Sequence, residues 1–382
     1  MYRRIILTAA GLVLATSNLL SAVGLDRSGA SPFNTDFMYG AGNAVTVTIK
    51  SHDSSITGTS ILGTPITNSL DDFVQRNLTI KNDINDQISI GLAYDEPRGA
   101  SVSFQGGGGF LSTVSAENTW KEVLGLVKYQ VNENISVIGG LRMTSTEGGA
   151  SLSVPVPDVG FVPYNYQTES DTAWGTIIGA AYEIKEIGLR VSATVHGETD
   201  ITQSTTETSG LFVPTVGTTV LPSTENTTGP RTVMLKAQSA VTEEIFVGTN
   251  WTKAYYDPFS VSPIGYLGVA GSALYDPGTD TATDYYGAYK VSDNVRLLYA
   301  YSTQEKGDTN IVSYFEPFDG TESHTFGVLY TGLENADISV YMTNTAYGDA
   351  RIVDMEDGNP ASYATMTNNE ANRIGVSLTY KY

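Results

Sequence analysis

His52, His196 and His324 are the only imidazoles in the chain, and none stands at a metal-ligand spacing such as HxxxH. No GxSxG turn presents a nucleophilic serine, and the absence of cysteine removes thiolate chemistry and disulfides together. His324 lies beside Phe326 without a serine and an orienting acid at a readable spacing. The sequence therefore reads as a non-enzyme, with no catalytic residue, no metal site and no cofactor. What remains is binding, and the scarce basic residues bear on it. Lysine and arginine number 21 against 41 acids, a formal charge of −20, which argues against nucleic acid as a partner.

Arg142, Arg190, Lys236, Arg296 and Arg373 each fall in the polar phase of an alternating run. Arg190 and Lys236 stand at matching distances beyond short turns on consecutive runs, so they can meet at one height. Together with Arg142 they are candidates for holding a ligand carboxylate, because a guanidinium forks onto that group. Internal salt bridges to neighbouring acids are the alternative. Two long polar connections, 145–170 and 199–228, carry unexpected apolar residues. The first holds Val156, Val159, Phe161, Val162 and Tyr164; the second holds Leu211, Phe212, Val213 and Val216. Apolar loop surface marks a binding groove, or else two loops packed against each other. Tyr94-Asp95-Glu96-Pro97 sets a proline inside or just after a run that otherwise alternates. Proline removes a ladder donor, so Asp95, Glu96 and Pro97 mark a break in the sheet or the start of a flexible, glycine-rich loop.

The elements that position these residues are strands. Only 16% of residues are charged, and 39 glycines, 23 tyrosines and abundant Thr and Ser take their place. The stretch from Thr119 to Met143 is two runs around the turn Val131-Asn132-Glu133-Asn134. Ile135, Val137, Gly139, Leu141 and Met143 share one face; Ser136, Gly140 and Arg142 share the other, where Ile138 is an apolar exception. Runs of about ten residues suit strands tilted across a bilayer. Similar turns recur at Lys81, Glu183, Val241, Val291 and Gly332. Tight turns at one rim and long connections at the other are the pattern of a membrane barrel, and six inner turns plus the two end strands make fourteen. The fold class expected is all-β: a transmembrane antiparallel β-barrel of about 14 strands.

Arg3 and Arg4 before an apolar stretch ending at Ser21-Ala22 read as a secretory signal over 1–22. Residues 23–43, Gly- and Ser-rich with Phe33 and Phe37, read as a short N-terminal hatch or plug, and 44–382 as the barrel.

GLDRSG at Gly24, YDEPRGA at Tyr94, YQVNENISVIGGLRM at Tyr129, AYEIKEIGLRVSATVH at Ala181 and the alternating last strand resemble, in order and spacing, the long-chain fatty-acid transporters of Gram-negative outer membranes, the FadL-type barrels. The resemblance spans essentially the whole chain after the signal. It implies an outer-membrane location, a hatch inside the barrel with Phe33 and Phe37 in its gate, and capture of hydrophobic molecules between two long loops. It also implies exit through a wall opening near Asp95, Glu96 and Pro97. Fatty acids are the default solute, outer-membrane lipid and the barrel-assembly machinery the other partners. A general diffusion porin or an adhesin-like surface barrel is the alternative. The hatch is shorter than the family's and lacks its Asn-Pro-Ala element.

Overall fold

The computed structural model describes residues 35–156, 158–306, 311–354 and 361–382; the proposed signal and Phe33 lie outside them. Fourteen antiparallel strands close into a barrel. They are β1 (Ala44–Ser55), β2 (Phe73–Asp83), β3 (Ile88–Gln105), β4 (Ser115–Gln130), β5 (Ile135–Val156), β6 (Gly160–Thr168 continuing as Asp171–Ile184), β7 (Leu189–His196 continuing as Thr199–Ser209), β8 (Val220–Gly229 continuing as Arg231–Ala240), β9 (Ile245–Tyr255), β10 (Asp280–Lys290), β11 (Val295–Gln304), β12 (Thr321–Tyr330), β13 (Ala336–Tyr347) and β14 (Asn369–Lys381). β1 closes on β14 in unbroken register from Ala44↔Lys381 to Ser55↔Glu370. Closure pairs backbone donors that a bilayer cannot satisfy.

The period-2 alternation explains which way each side chain points. On β14, Ile374, Val376, Leu378 and Tyr380 are exposed, while Arg373, Ser377 and Thr379 are buried in the interior. The outward face is an apolar belt, and Tyr129, Tyr182, Tyr289, Tyr330, Tyr380 and Tyr382 ring it next to the tight turns. Such an aromatic girdle marks a membrane interface. No helix among the described residues is long and apolar enough to cross a membrane; the strands cross it.

The connections 145–170 and 199–228 differ from the expected loops. β5 runs unbroken to Val156 and pairs with the upper part of β6 from Gly149↔Gln167 to Val156↔Gly160. β7 and β8 do the same from Thr199↔Gly229 to Thr208↔Val220. Ser- and Thr-rich alternation reads as loop chemistry, yet β-branched Thr is at home in a strand whose neighbours complete the ladder. The wall from β4 to β8 therefore rises past the other strands as a collar. A five-stranded sheet of short segments, including Gly58–Ser60 and Ala361–Met366, covers the same end opposite it.

Candidate functional site

The interior has three levels, beginning at the inner turns with the plug. Thr35 leads into a short 3-10 turn, Asp36–Tyr39, which lies inside the barrel. Phe37 and Met38 are buried against Ala93, Leu124, Leu126, Ile138 and Ile177. The apolar exception Ile138 is thus a seat for the plug. Gly91 makes room for it: a Cβ there would lie 2.2 Å from the Met38 sulfur and 2.7 Å from the Phe37 ring. Asp36 is held by two cations. Arg190 Nη2 lies 2.7 Å from its Oδ1 and Lys236 Nζ 2.6 Å from its Oδ2, and the Arg190 guanidinium sits 4.3 Å over the Tyr39 ring. The two bases that the sequence places at one height do meet, and the carboxylate between them is the chain's own. Below the plug a polar vestibule of ≈ 600 Å³ reaches the inner turns, lined by Tyr39, Lys128, Glu183, Arg190 and Gln238 among others.

Above the plug Glu122, completely buried, anchors a polar layer. Its Oε1 accepts from Trp120 Nε1 at 2.7 Å, from Thr144 Oγ1 at 3.2 Å and from Arg142 Nη1 at 3.4 Å, and Arg98 Nη1 lies 3.7 Å away. Arg142 also donates to the carbonyls of Gly197 and Pro230. Those carbonyls turn inward where β7 and β8 each break their ladder. Arg142 is therefore not in the Arg190–Lys236 group; it belongs to this higher layer. Arg98 donates to Tyr256 Oη at 3.1 Å.

The wall is interrupted beside this layer. The β2–β3 ladder ends at Leu78↔Tyr94, and β3 next pairs on that side at Leu70↔Val102 with the short segment Asn68–Leu70. On its other side the β3–β4 register shifts between Asp95↔Glu122 and Arg98↔Trp120, so Glu96 and Pro97 bulge opposite a single residue. Side chains bridge the gap instead of backbone. Gln75 Nε2 donates to Asp95 Oδ1 at 3.2 Å and to the Glu96 carbonyl at 3.1 Å, and Tyr94 Oη donates to Glu96 at 2.9 Å. Asp95, Glu96 and Pro97 thus lie at this gap in the ladder, within a strand that runs on to Gln105.

The top level is the crown. A cavity of ≈ 100 Å³ lies on the Trp120 side of the Glu122 layer, walled by Ala116, Ala150, Tyr166, Phe259, Val261, Leu274, Tyr275 and Phe315. Glu117, Asn118, Gln203 and several Thr and Gly contribute its polar margin, and no Lys or Arg is among its described lining residues. Much of its roof is the connection between β9 and β10, in which Val261 bridges Tyr275 and the helix Ile264–Ala270 follows Pro263. This strap is latched by two carboxylates of the collar. Glu207, fully buried on β7, accepts from the backbone N–H of Gly265 at 2.8 Å, that of Tyr266 at 2.7 Å, and Tyr164 Oη at 2.8 Å. A Cβ at Gly265 would meet Glu207 and Phe212, both at 2.7 Å. Glu225 on β8 accepts from Ser262 N–H and Tyr166 Oη. Burial raises the Glu225 carboxyl above the usual carboxylate range, against the lowering effect of those two donors.

The apolar residues expected in the two loops fall into two groups. Tyr164 and Phe212 are buried together in the crown core with Leu211 packed beside them, their rings 6.4 Å apart. Val156 and Val162 are half-buried, and Val159, Phe161, Val213 and Val216 are exposed at the tips of the two adjoining hairpins. None of these nine lines the cavity. The residues that do include Trp120, Phe259, Val261, Leu274, Tyr275 and Phe315, which sequence reasoning missed. The signal was present: Tyr256 to Tyr275 is another long connection rich in aromatic and aliphatic residues. His324 faces outward, its Nδ1 2.9 Å from Tyr299 Oη.

No family model matches the chain, and no curated protein matches it. Solved structures do. A Pseudomonas aeruginosa FadL homologue superposes with a TM-score of 0.76 at 13% identity, covering 96% of each chain. The Pseudomonas putida toluene transporter TodX gives 0.62 at 14% identity, covering 96% of this chain and 100% of its own. The Ralstonia pickettii toluene transporter TbuX gives 0.60 at 13%, covering 96% and 99%. At these identities the likeness is one of fold: a plugged fourteen-stranded barrel like theirs.

Proposed function

We propose that this barrel, built like the FadL-type outer-membrane channels, carries hydrophobic molecules passively across the outer membrane. The observation that carries the reading is the apolar cavity in the crown, roofed by a latched strap and separated from the inner rim by a plug. A general porin needs an open aqueous lumen, and here Phe37 and Met38 of the plug are buried inside the barrel against its wall. Among the proteins of like fold, TodX and TbuX are named toluene transporters and CymD a monoaromatic hydrocarbon channel, which supports a hydrophobic solute here.

We further propose that the preferred solute is compact and uncharged. A cavity of about 150 Å³ in an apolar core holds benzene, and ≈ 100 Å³ is the same scale, far short of an extended long acyl chain. A carboxylate entering it would find Glu117 and no cation among the described lining residues. Long-chain fatty acids are the second reading. It is favoured by Arg98, which lies 5.5 Å from the Trp120 ring on the layer beneath the cavity, where a head group passing Trp120 would meet cations. By this proposal the solute reaches the exposed Val159, Phe161, Val213 and Val216 first, then the cavity, and leaves past Asp95, Glu96 and Pro97.

Ala150→Phe tests both readings, because the added ring fills the cavity from a buried wall position. In proteoliposomes it is expected to cut uptake of a one-ring hydrocarbon by about tenfold or more, since pocket volume discriminates on that order. Oleate uptake by the unaltered protein separates the readings: entry faster than that of the hydrocarbon would favour the fatty acid. Rapid passage of small sugars through the intact protein would defeat both.

A further inference from the structure

The bore is cationic inside a chain that is strongly acidic overall. Eight buried cations project inward from the wall among the described residues: Lys50, Lys81, Arg98, Arg142, Arg190, Lys236, Arg296 and Arg373. Among the described residues only four buried carboxylates of the wall face them: Asp95, Glu122, Asp284 and Asp337. Glu207 and Glu225 belong to the crown. At the inner mouth the half-buried Lys128, Asp83 and Glu183 narrow this excess without reversing it. The remaining buried carboxylate in the bore, Asp36, comes from the plug. It occupies the position between Arg190 and Lys236, and Arg190 also lines the polar vestibule below. Asp36 is 154 residues from Arg190 and 200 from Lys236 in sequence, so the carboxylate belongs to the plug and not to the wall, and any displacement of the plug would remove it.

We propose that displacing the plug converts the bore into an anion-selective pore, in which Arg190 and Lys236 form the selecting pair for small inorganic or carboxylate anions. With Asp36 gone, two cations on neighbouring strands face water at the plug's level, and charged side chains at a constriction set the sign of the permeant ion. Anions then enter a field that the acidic outer surface alone would oppose. The activity is separate from hydrophobe uptake and does not depend on which hydrophobe is carried.

Two variants of the full chain unseat the plug by different means. Asp36→Asn removes the charge that both bases hold. Gly91→Leu leaves every charge in place and pushes a side chain into the Phe37–Met38 seat. In planar bilayers both are expected to conduct well above the parent protein. Under a potassium chloride gradient the reversal potential is expected to show chloride preferred about fivefold, the partition one unit charge confers at contact distance in water. Adding Arg190→Gln and Lys236→Gln to Gly91→Leu should abolish that preference while conductance persists. Gel mobility before and after heating confirms that each variant forms a closed barrel. Cation preference in Gly91→Leu, an unchanged reversal potential after loss of the two bases, or no conductance rise in either unplugged variant would each overturn the proposal. Hydrocarbon uptake measured on the same preparations reports on the transport reading independently.

Discussion

Glu122→Gln is expected to destabilise the barrel by about 3–5 kcal/mol, the usual cost of removing one partner of a buried charge group. Arg98 and Arg142 both approach the Glu122 carboxylate and are themselves almost completely buried. The amide keeps the shape and one acceptor, so Trp120 and Thr144 keep a partner. It removes the charge, and two guanidiniums are then left close together beside the same side chain with weaker compensation. Urea unfolding in detergent or bilayer, followed by tryptophan emission, measures the loss, and Trp120 sits at the site itself. Restoring stability by adding Arg98→Met would show that charge imbalance, rather than lost packing, is the cause. A Glu122→Gln barrel as stable as the parent would mean that the guanidinium contacts with Tyr256 and with the Gly197 and Pro230 carbonyls suffice alone.

The second large effect concerns the strap. Glu207→Ala removes three hydrogen bonds to a buried carboxylate at once, two of them from the backbone at the start of the helix Ile264–Ala270. Bonds to charged groups contribute about 1.5–3 kcal/mol each, so the strap's local stability is expected to collapse while the barrel stays closed. Hydrogen exchange should show residues 261–275 losing protection, with the strands below unaffected. Glu225 adds a pH dependence whose sign follows from linkage. Its carboxyl is raised in the latched state, so the latched state binds the proton more tightly than the open one. Latching is then strongest below the ordinary glutamate value of about 4.3 and weakens as pH rises through the raised value. Strap protection is expected to fall from pH 5 to pH 8, and Glu225→Gln to flatten that slope. Protection that rises over the same interval would contradict the latch.

The barrel was legible because a bilayer imposes one rule on every strand. Alternation, tight inner turns and the inward phase of Arg142, Arg190, Lys236, Arg296 and Arg373 follow from it residue by residue. The meeting of Arg190 with Lys236 was legible for the same reason, since both count from adjacent turns. Their partner was not, because nothing local ties Asp36 to strands far along the chain. Ile138 was a visible anomaly without an explanation until the plug supplied one. The crown escaped the period-2 logic. Its hairpins are polar by composition and read as loops, although their pairing is as regular as that below. The strap between β9 and β10 has no period at all, and its role depends on Glu207 and Glu225, whose acceptors are satisfied only in three dimensions.

The collar has one more consequence. β5 has 22 residues, and at a rise of roughly 3.3 Å per residue and a tilt near 40° it climbs about 55 Å. The apolar belt of such barrels is about 25 Å tall. Its tip therefore stands roughly 30 Å beyond that belt. Val159 and Phe161, exposed at that tip, are thus held well outside the belt, and on the proposed uptake route they would meet a solute still in the medium, before it reaches lipid.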